Sequence, residues 1–150
     1  MYRAKERQLE ELSRAGQQVL EAQPFSALLG ARLASFSEGE AVMEVPIRNE
    51  LLQQDGHVHG GVIGYLADNA LTFAGGSVLG PAVLTSEYKI NYLRPASGET
   101  LVARASVVHA GKRQAVCRCD IFAVDAGGGE TFCAAAQGTI TSVAAPKEAG

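Results

Sequence analysis

Asp68 is the residue on which a reaction could turn. It stands in Tyr65-Leu66-Ala67-Asp68-Asn69-Ala70-Leu71, an otherwise apolar setting. A carboxylate taken out of water without a partner is costly, so one placed there has a partner or a task. No lysine or arginine lies within 60–79, and a distant base such as Arg94 or Lys89 is the structural alternative. Thr72 follows four residues later and projects from the same face of a helix. Ahead of Asp68 stands His59-Gly60-Gly61. At a helix start, its unpaired N–H groups and partial positive charge could hold a carbonyl oxygen that becomes negative under attack. Glycines let a ligand approach that backbone closely. The plain alternative is a glycine-rich loop-to-helix junction. His59 fits two roles, general base or anchor of the loop through backbone hydrogen bonds. His57 reads as a loop residue and His109 as a surface residue, and histidines so scattered make no metal site.

Periodicity names the elements that must position these groups. Leu9, Leu12, Val19 and Leu20 form one narrow stripe at helical spacing within 3–22. Pro24 ends that helix, and residues 25–29 allow one further turn before Gly30. From Ala31 the period is two, with Val42, Glu44 and Pro46 alternating with Met43, Val45 and Ile47, and Ser37-Glu38-Gly39-Glu40 marks a turn between two strands. After a loop over 49–59, the stretch 60–79 is apolar nearly all the way round, the pattern of a buried helix. Gly75-Gly76 and Gly80-Pro81 mark its end. Leu84, Ser86, Tyr88, Ile90 and Tyr92 then alternate with Thr85, Glu87, Lys89 and Asn91, and turn signals at 96–98, 110–111 and 126–129 separate the later strands. Hairpin-linked neighbours imply an antiparallel sheet. The class is α+β: a curved sheet wraps the apolar helix, and a second subunit covers what remains. No repeat or linker divides the chain. It reads as an N-terminal helix over 1–24, one domain over 25–143 and a loose tail over 144–150.

The chain has 150 residues, 47% hydrophobic and 19% charged, enough for one domain with a real core. A net charge of -3 argues against a protein that coats nucleic acid. No apolar run reaches the roughly 18 residues of a membrane-spanning helix. The charged N-terminus lacks the apolar core of a secretory signal, so the expected setting is the cytoplasm. Cys117, Cys119 and Cys133 have no zinc-like spacing and read as small core residues.

Gln53 and Gln54, then Asp55-Gly56-His57-Val58-His59-Gly60-Gly61, then Leu66-Ala67-Asp68-Asn69-Ala70, together resemble the signature of PaaI-like and 4-hydroxybenzoyl-CoA-type hot-dog thioesterases. Asn91-Tyr92-Leu93-Arg94-Pro95 resembles the family's strand after the helix, and the likeness covers roughly residues 25–143. It implies a hot-dog fold, with a five- or six-stranded antiparallel sheet around the 60–79 helix. It also implies a dimer with a continuous sheet, often paired into a homotetramer, with active sites between subunits. Gln53 matches the family's amide side chain, Gly60 its first glycine, Asp68 its acid and Thr72 its helix hydroxyl. Several PaaI-like members carry asparagine at the Gln53 position. Glutamine there is the hydroxybenzoyl pattern and aspartate at 68 the PaaI pattern, a mixture that leaves the acyl group open.

The implied chemistry is hydrolysis of a small, medium-chain or aromatic acyl-CoA to free acid and CoA. Gly60 and Gly61 N–H groups would hold the oxyanion. Gln53 would orient the carbonyl or the water from the partner subunit, and Thr72 would position the water. Asp68 would act as general base or as nucleophile through a transient anhydride. An aspartate of ordinary acidity is ionised at neutral pH, which suits either role. CoA enters as part of the substrate, so neither cofactor nor metal is expected. Arg94, Lys112 and Arg113 are candidates for a basic rim that meets its phosphates. Two other readings share the fold: a non-catalytic acyl-CoA-binding regulator, and a hydroxyacyl-thioester dehydratase pairing His59 with Asp68. The short N-terminal helix is too small for a helix-turn-helix, which weighs against the regulator. The Gly-Gly after His59 and the Leu66-Ala67-Asp68 context weigh against the dehydratase.

Overall fold

The computed structural model describes residues 1–145. The chain opens with α1 (Tyr2–Glu21) and α2 (Pro24–Leu29), followed by the hairpin β1 (Arg32–Ser37) and β2 (Glu40–Pro46). A single 3-10 turn (Asn49–Leu51) and a loop lead to α3 (Gly60–Leu79). Then come β3 (Val83–Tyr92), β4 (Thr100–Ala110), β5 (Gln114–Val124) and β6 (Glu130–Ser142). The tail expected over 144–150 falls, from residue 146 onward, outside the described residues.

All strands pair antiparallel in one six-stranded sheet, in the order β1-β2-β4-β5-β6-β3. This is the sheet-wrapped helix that the resemblance implies. The helix carries the chain across the inner face, so β3 lands at the edge beside β6, with Tyr88 opposite Gly138. Leu66, Ala67, Ala70 and Leu71 of α3 share one fully buried core with Met43, Val45, Leu101, Ile121 and Ile140. The strand members alternate along their strands, as inward-facing residues must. Gly75 lets the helix come close: a Cβ there would sit 2.7 Å from the Cβ of Ile140.

The outer helix meets the sheet through a row at four-residue spacing, Leu12, Gly16 and Leu20. Gly16 is buried under Phe36 and Leu33, and Leu20 joins the core. Leu9 and Val19, expected on the same stripe, flank that row and stay half exposed. The cysteines are free and buried. Burial pushes the Cys117 thiol up to about 11 and, with a smaller push from Asp120, the Cys119 thiol to about 12. Among the described residues, no helix is long and apolar enough to cross a membrane.

Candidate active site

The loop before α3 is stapled to its surroundings by backbone hydrogen bonds. Val58 N–H donates to Ala96 O (2.9 Å), His59 N–H to Leu51 O (2.8 Å) and Gln53 N–H to His57 O (2.8 Å). His59 is the helix N-cap, and its Nδ1 accepts the Gly61 N–H at 2.8 Å, while its carbonyl accepts the Val62 N–H at 3.0 Å. Side-chain acceptance of an early N–H is the work of a cap. It leaves the Gly60 N–H as the first-turn donor without a partner among the described residues. The expected pair of oxyanion donors is thus reduced to one, and His59 anchors the loop. Gly60 lines a cleft of about 350 Å³ together with Gln53, His57, Tyr92 and Arg94. The Gln53 Oε1 accepts the Asp55 N–H, which fixes the amide and leaves its NH2 group without a protein partner among the described residues.

Along α3, Gly60, Gly64, Asp68, Thr72 and Gly76 recur every four residues and so share one face. That face meets β3. The Tyr92 hydroxyl donates to Gly60 O at 2.9 Å. A Cβ at Gly64 would lie 3.2 Å from the Tyr88 hydroxyl oxygen, and one at Gly76 would lie 3.4 Å from Val83 Cγ2. Between them, Thr85 Oγ1 donates to Asp68 Oδ1 at 2.6 Å. Strict alternation would turn Thr85 away from Tyr88 and Tyr92. A bulge between Thr85 and Glu87 adds one residue to β3 and brings all three to the helix side. Thr85 therefore escapes a reading based on alternation.

Asp68 takes part in no ion pair among the described residues, so neither Arg94 nor Lys89 neutralises it. Its neighbours are hydroxyls. Thr72 Oγ1 donates to the Asp68 backbone carbonyl at 2.8 Å and lies 2.9 Å from Thr85 Oγ1. Two hydroxyl protons face three such contacts, because each threonine carries one proton. The other carboxylate oxygen, Oδ2, has no protein partner among the described residues. Tyr88 stands close by, and burial first, then the charge of Asp68 and the neighbouring Tyr92, hold its phenol above the usual value. Tyr88 thus stays a neutral O–H donor beside the carboxylate. Asn69, next along the helix, ties α3 to α2 through Gln23 (3.0 Å), with Tyr65 bonded to Ser26 at 2.6 Å.

The site residues fall into two groups within one chain. Gln53, Gly60 and Arg94 stand at the start of α3, and Asp68, Thr72 and Thr85 stand two turns on, about 12 Å along the axis. The cations are split as well. Arg94 reaches Phe132 O at 3.3 Å, whereas Arg113 O accepts the Ser142 N–H at 2.7 Å. Those two β6 positions lie about 34 Å apart at the usual strand rise. Lys112 and Arg113 are therefore not in the cleft that Arg94 lines.

A family model described as the thioesterase superfamily matches residues 55–130. The acyl-coenzyme A thioesterase PaaI of Escherichia coli is 38% identical over 89 residues, 59% of this chain and 63% of that protein. The match thus spans less than two thirds of that curated relative. Among solved structures, a thioesterase family protein from Silicibacter pomeroyi superposes with a TM-score of 0.81 at 32% identity, over 87% of this chain and 96% of that one. The E. coli PaaI protein from the phenylacetic acid degradation operon gives 0.77 at 30% identity, over 89% and 96%. Matched over more than half its length by the family model, and over nearly the whole of a family structure, this chain belongs to the thioesterase superfamily.

Proposed function

We propose that the protein hydrolyses acyl-CoA thioesters to free acid and CoA, in active sites that two copies of the chain share. One observation carries the reading: Asp68, on an apolar helix, has Oδ1 held by Thr85 and Oδ2 without a partner among the described residues. The name of the E. coli relative supports CoA as the carrier, and that relative's operon supports an aromatic acyl group.

Sharing follows from the 12 Å or so between the Gly60 N–H and Asp68, too far to serve one reaction centre. β3 offers the means. It is an edge strand with Leu84 and Tyr92 exposed, and such an edge is a template for pairing. Thr85 marks the level of Asp68 on β3, and Tyr92 marks that of Gly60. Antiparallel pairing of β3 with a two-fold copy, centred between Tyr88 and Lys89, sets the partner's Tyr92 opposite Thr85. The partner's Gly60 and the partner's Gln53 then approach Asp68. The same symmetry carries the partner's Arg94 to the end of the sheet that holds Lys112 and Arg113, so both chains build the basic rim.

In that site the thioester oxygen meets the Gly60 N–H, where the helix end stabilises the oxyanion. Asp68 takes a proton from water, hydroxide adds to the carbonyl carbon, and the C–S bond breaks as the sulfur recovers the proton. In the nucleophilic course, Asp68 attacks the carbon itself, and the C–S bond breaks as CoA leaves as the thiolate. Water then cleaves the anhydride to the free acid and the Asp68 carboxylate, while its proton goes to the thiolate. In a single turnover in heavy-oxygen water, label in the Asp68 carboxylate marks the anhydride. CoA is substrate, and no cofactor takes part. Engagement of His59 Nδ1 by Gly61 favours this reading over a histidine-based dehydratase. Free, buried thiols fit a reducing compartment such as the cytoplasm.

The test is thiol release from short, medium, long and aromatic acyl-CoAs, with particle mass measured alongside. Release from at least one thioester by a dimer or a dimer of dimers is expected. Acyl-CoA bound intact, with no thiol from any substrate, would instead establish the non-catalytic regulator.

A further inference from the structure

A second cleft, of about 370 Å³, opens between α1 and the later turns of α3. Leu12 and Val19 face it from α1, Phe36 from β1, and Thr72, Phe73 and Gly76 from α3. None of its lining residues is charged. An apolar cavity of about 150 Å³ is enough for a benzene ring, so this one has room for a ring with its linker or for a medium-length chain. It borders the carboxylate site at Thr72, whose hydroxyl touches the Asp68 backbone carbonyl at 2.8 Å and Thr85 Oγ1 at 2.9 Å. From Thr72 it runs past Gly76 to Gly80, about 12 Å along the helix.

The glycines at 75 and 76 differ in a way that bears on this space. Glycine in a helix interior is destabilising relative to alanine. Gly75 has a packing reason, since its Cβ would sit 2.7 Å from Ile140. Gly76 has none: its Cβ would make an ordinary contact with Val83 at 3.4 Å. What Gly76 supplies is the open volume beside it.

We infer that this cleft takes the acyl group of the thioester, an uncharged chain or ring, and that α1 is the wall that limits its size. CoA, with its phosphates, then lies outside this uncharged cleft. The inference rests on the hydrolase reading above. Gly76→Leu fills the cleft from α3, and Ala15→Phe fills it from α1, where Ala15 is exposed and the fold is not at stake. The readout is the ratio of kcat/KM for octanoyl-CoA to that for acetyl-CoA. Both variants should lower this ratio about tenfold or more, the scale at which a pocket discriminates one to a few methylenes. Thiol release that changes equally for both thioesters, or not at all, overturns the acyl cleft and leaves the hydrolase reading standing. Thermal melting with octanamide runs beside the kinetics. If the wild type turns over neither of these nor any long or aromatic acyl-CoA, the hydrolase reading falls. A rise in melting temperature that both variants lose then still supports the cleft as an acyl site, and no rise overturns it too.

Discussion

Replacing Thr85 with valine removes one hydroxyl and leaves a β-branched side chain of nearly the same shape on the same edge strand. The hydroxyl donates to Asp68 Oδ1 at 2.6 Å, and it is the one protein hydrogen bond to that carboxylate among the described residues. A hydrogen bond to a charged group contributes about 1.5–3 kcal/mol. If that energy holds the carboxylate in its reactive pose, its loss lowers kcat by about 10- to 150-fold. KM should change little, because Thr85 belongs to neither cleft wall. Thr85→Ser keeps the donor and should restore most of the rate. The assay is steady-state thiol release on the best acyl-CoA, with melting temperature recorded to show that both variants fold. A Thr85→Val enzyme within twofold of wild type would refute the reasoning, and so would a Thr85→Ser enzyme as slow as the valine variant.

Shared sites can be tested by mixing. Refolding Asp68→Asn and Gln53→Ala chains together should recover about a quarter of wild-type activity, since half the dimers are mixed and each holds one intact site; no recovery would place both residues in the same chain's site. Gly75→Ala should destabilise the fold by about 1–3 kcal/mol in a denaturant titration, through overpacking against Ile140 at 2.7 Å. The thiols set an alkaline limit. Folding raises Cys119 from the ordinary thiol value of 9.0 to about 12, so the folded state keeps the proton and stability falls as pH climbs through that window. Melting temperature should decline from about pH 9 toward 12, and Cys119→Ala should flatten the slope.

Much of this was legible in the residue pattern, for a reason that also marks its limit. The 60–79 helix is apolar on every side, so its place inside a sheet needs no tertiary information, and Asp68 stands out against that background. His59 as a cap could have been read too, since a polar residue ahead of a helix competes for the first N–H groups; that competition removes Gly61 from the oxyanion role. Thr85 is different. Its face is decided by the bulge at Ser86, which no residue type announces, so alternation assigns it to the wrong side. Tyr88 and Tyr92 leave a fainter sign in Gly60 and Gly64, small residues one and two turns before Asp68 that make room for rings. The separation of Arg94 from Lys112 and Arg113 depends on which ends of β3, β4 and β6 lie together, and that is a property of the topology.

The most direct test of the account compares wild type with Asp68→Asn on whichever acyl-CoA the wild type cleaves fastest. Asparagine keeps the shape and can still accept the Thr85 hydrogen bond, but it is neither a base nor a carboxylate nucleophile. Loss of at least about a hundredfold in kcat, with the fold and the oligomer intact, is the predicted result. An Asp68→Asn enzyme that releases thiol at close to the wild-type rate would contradict the central claim.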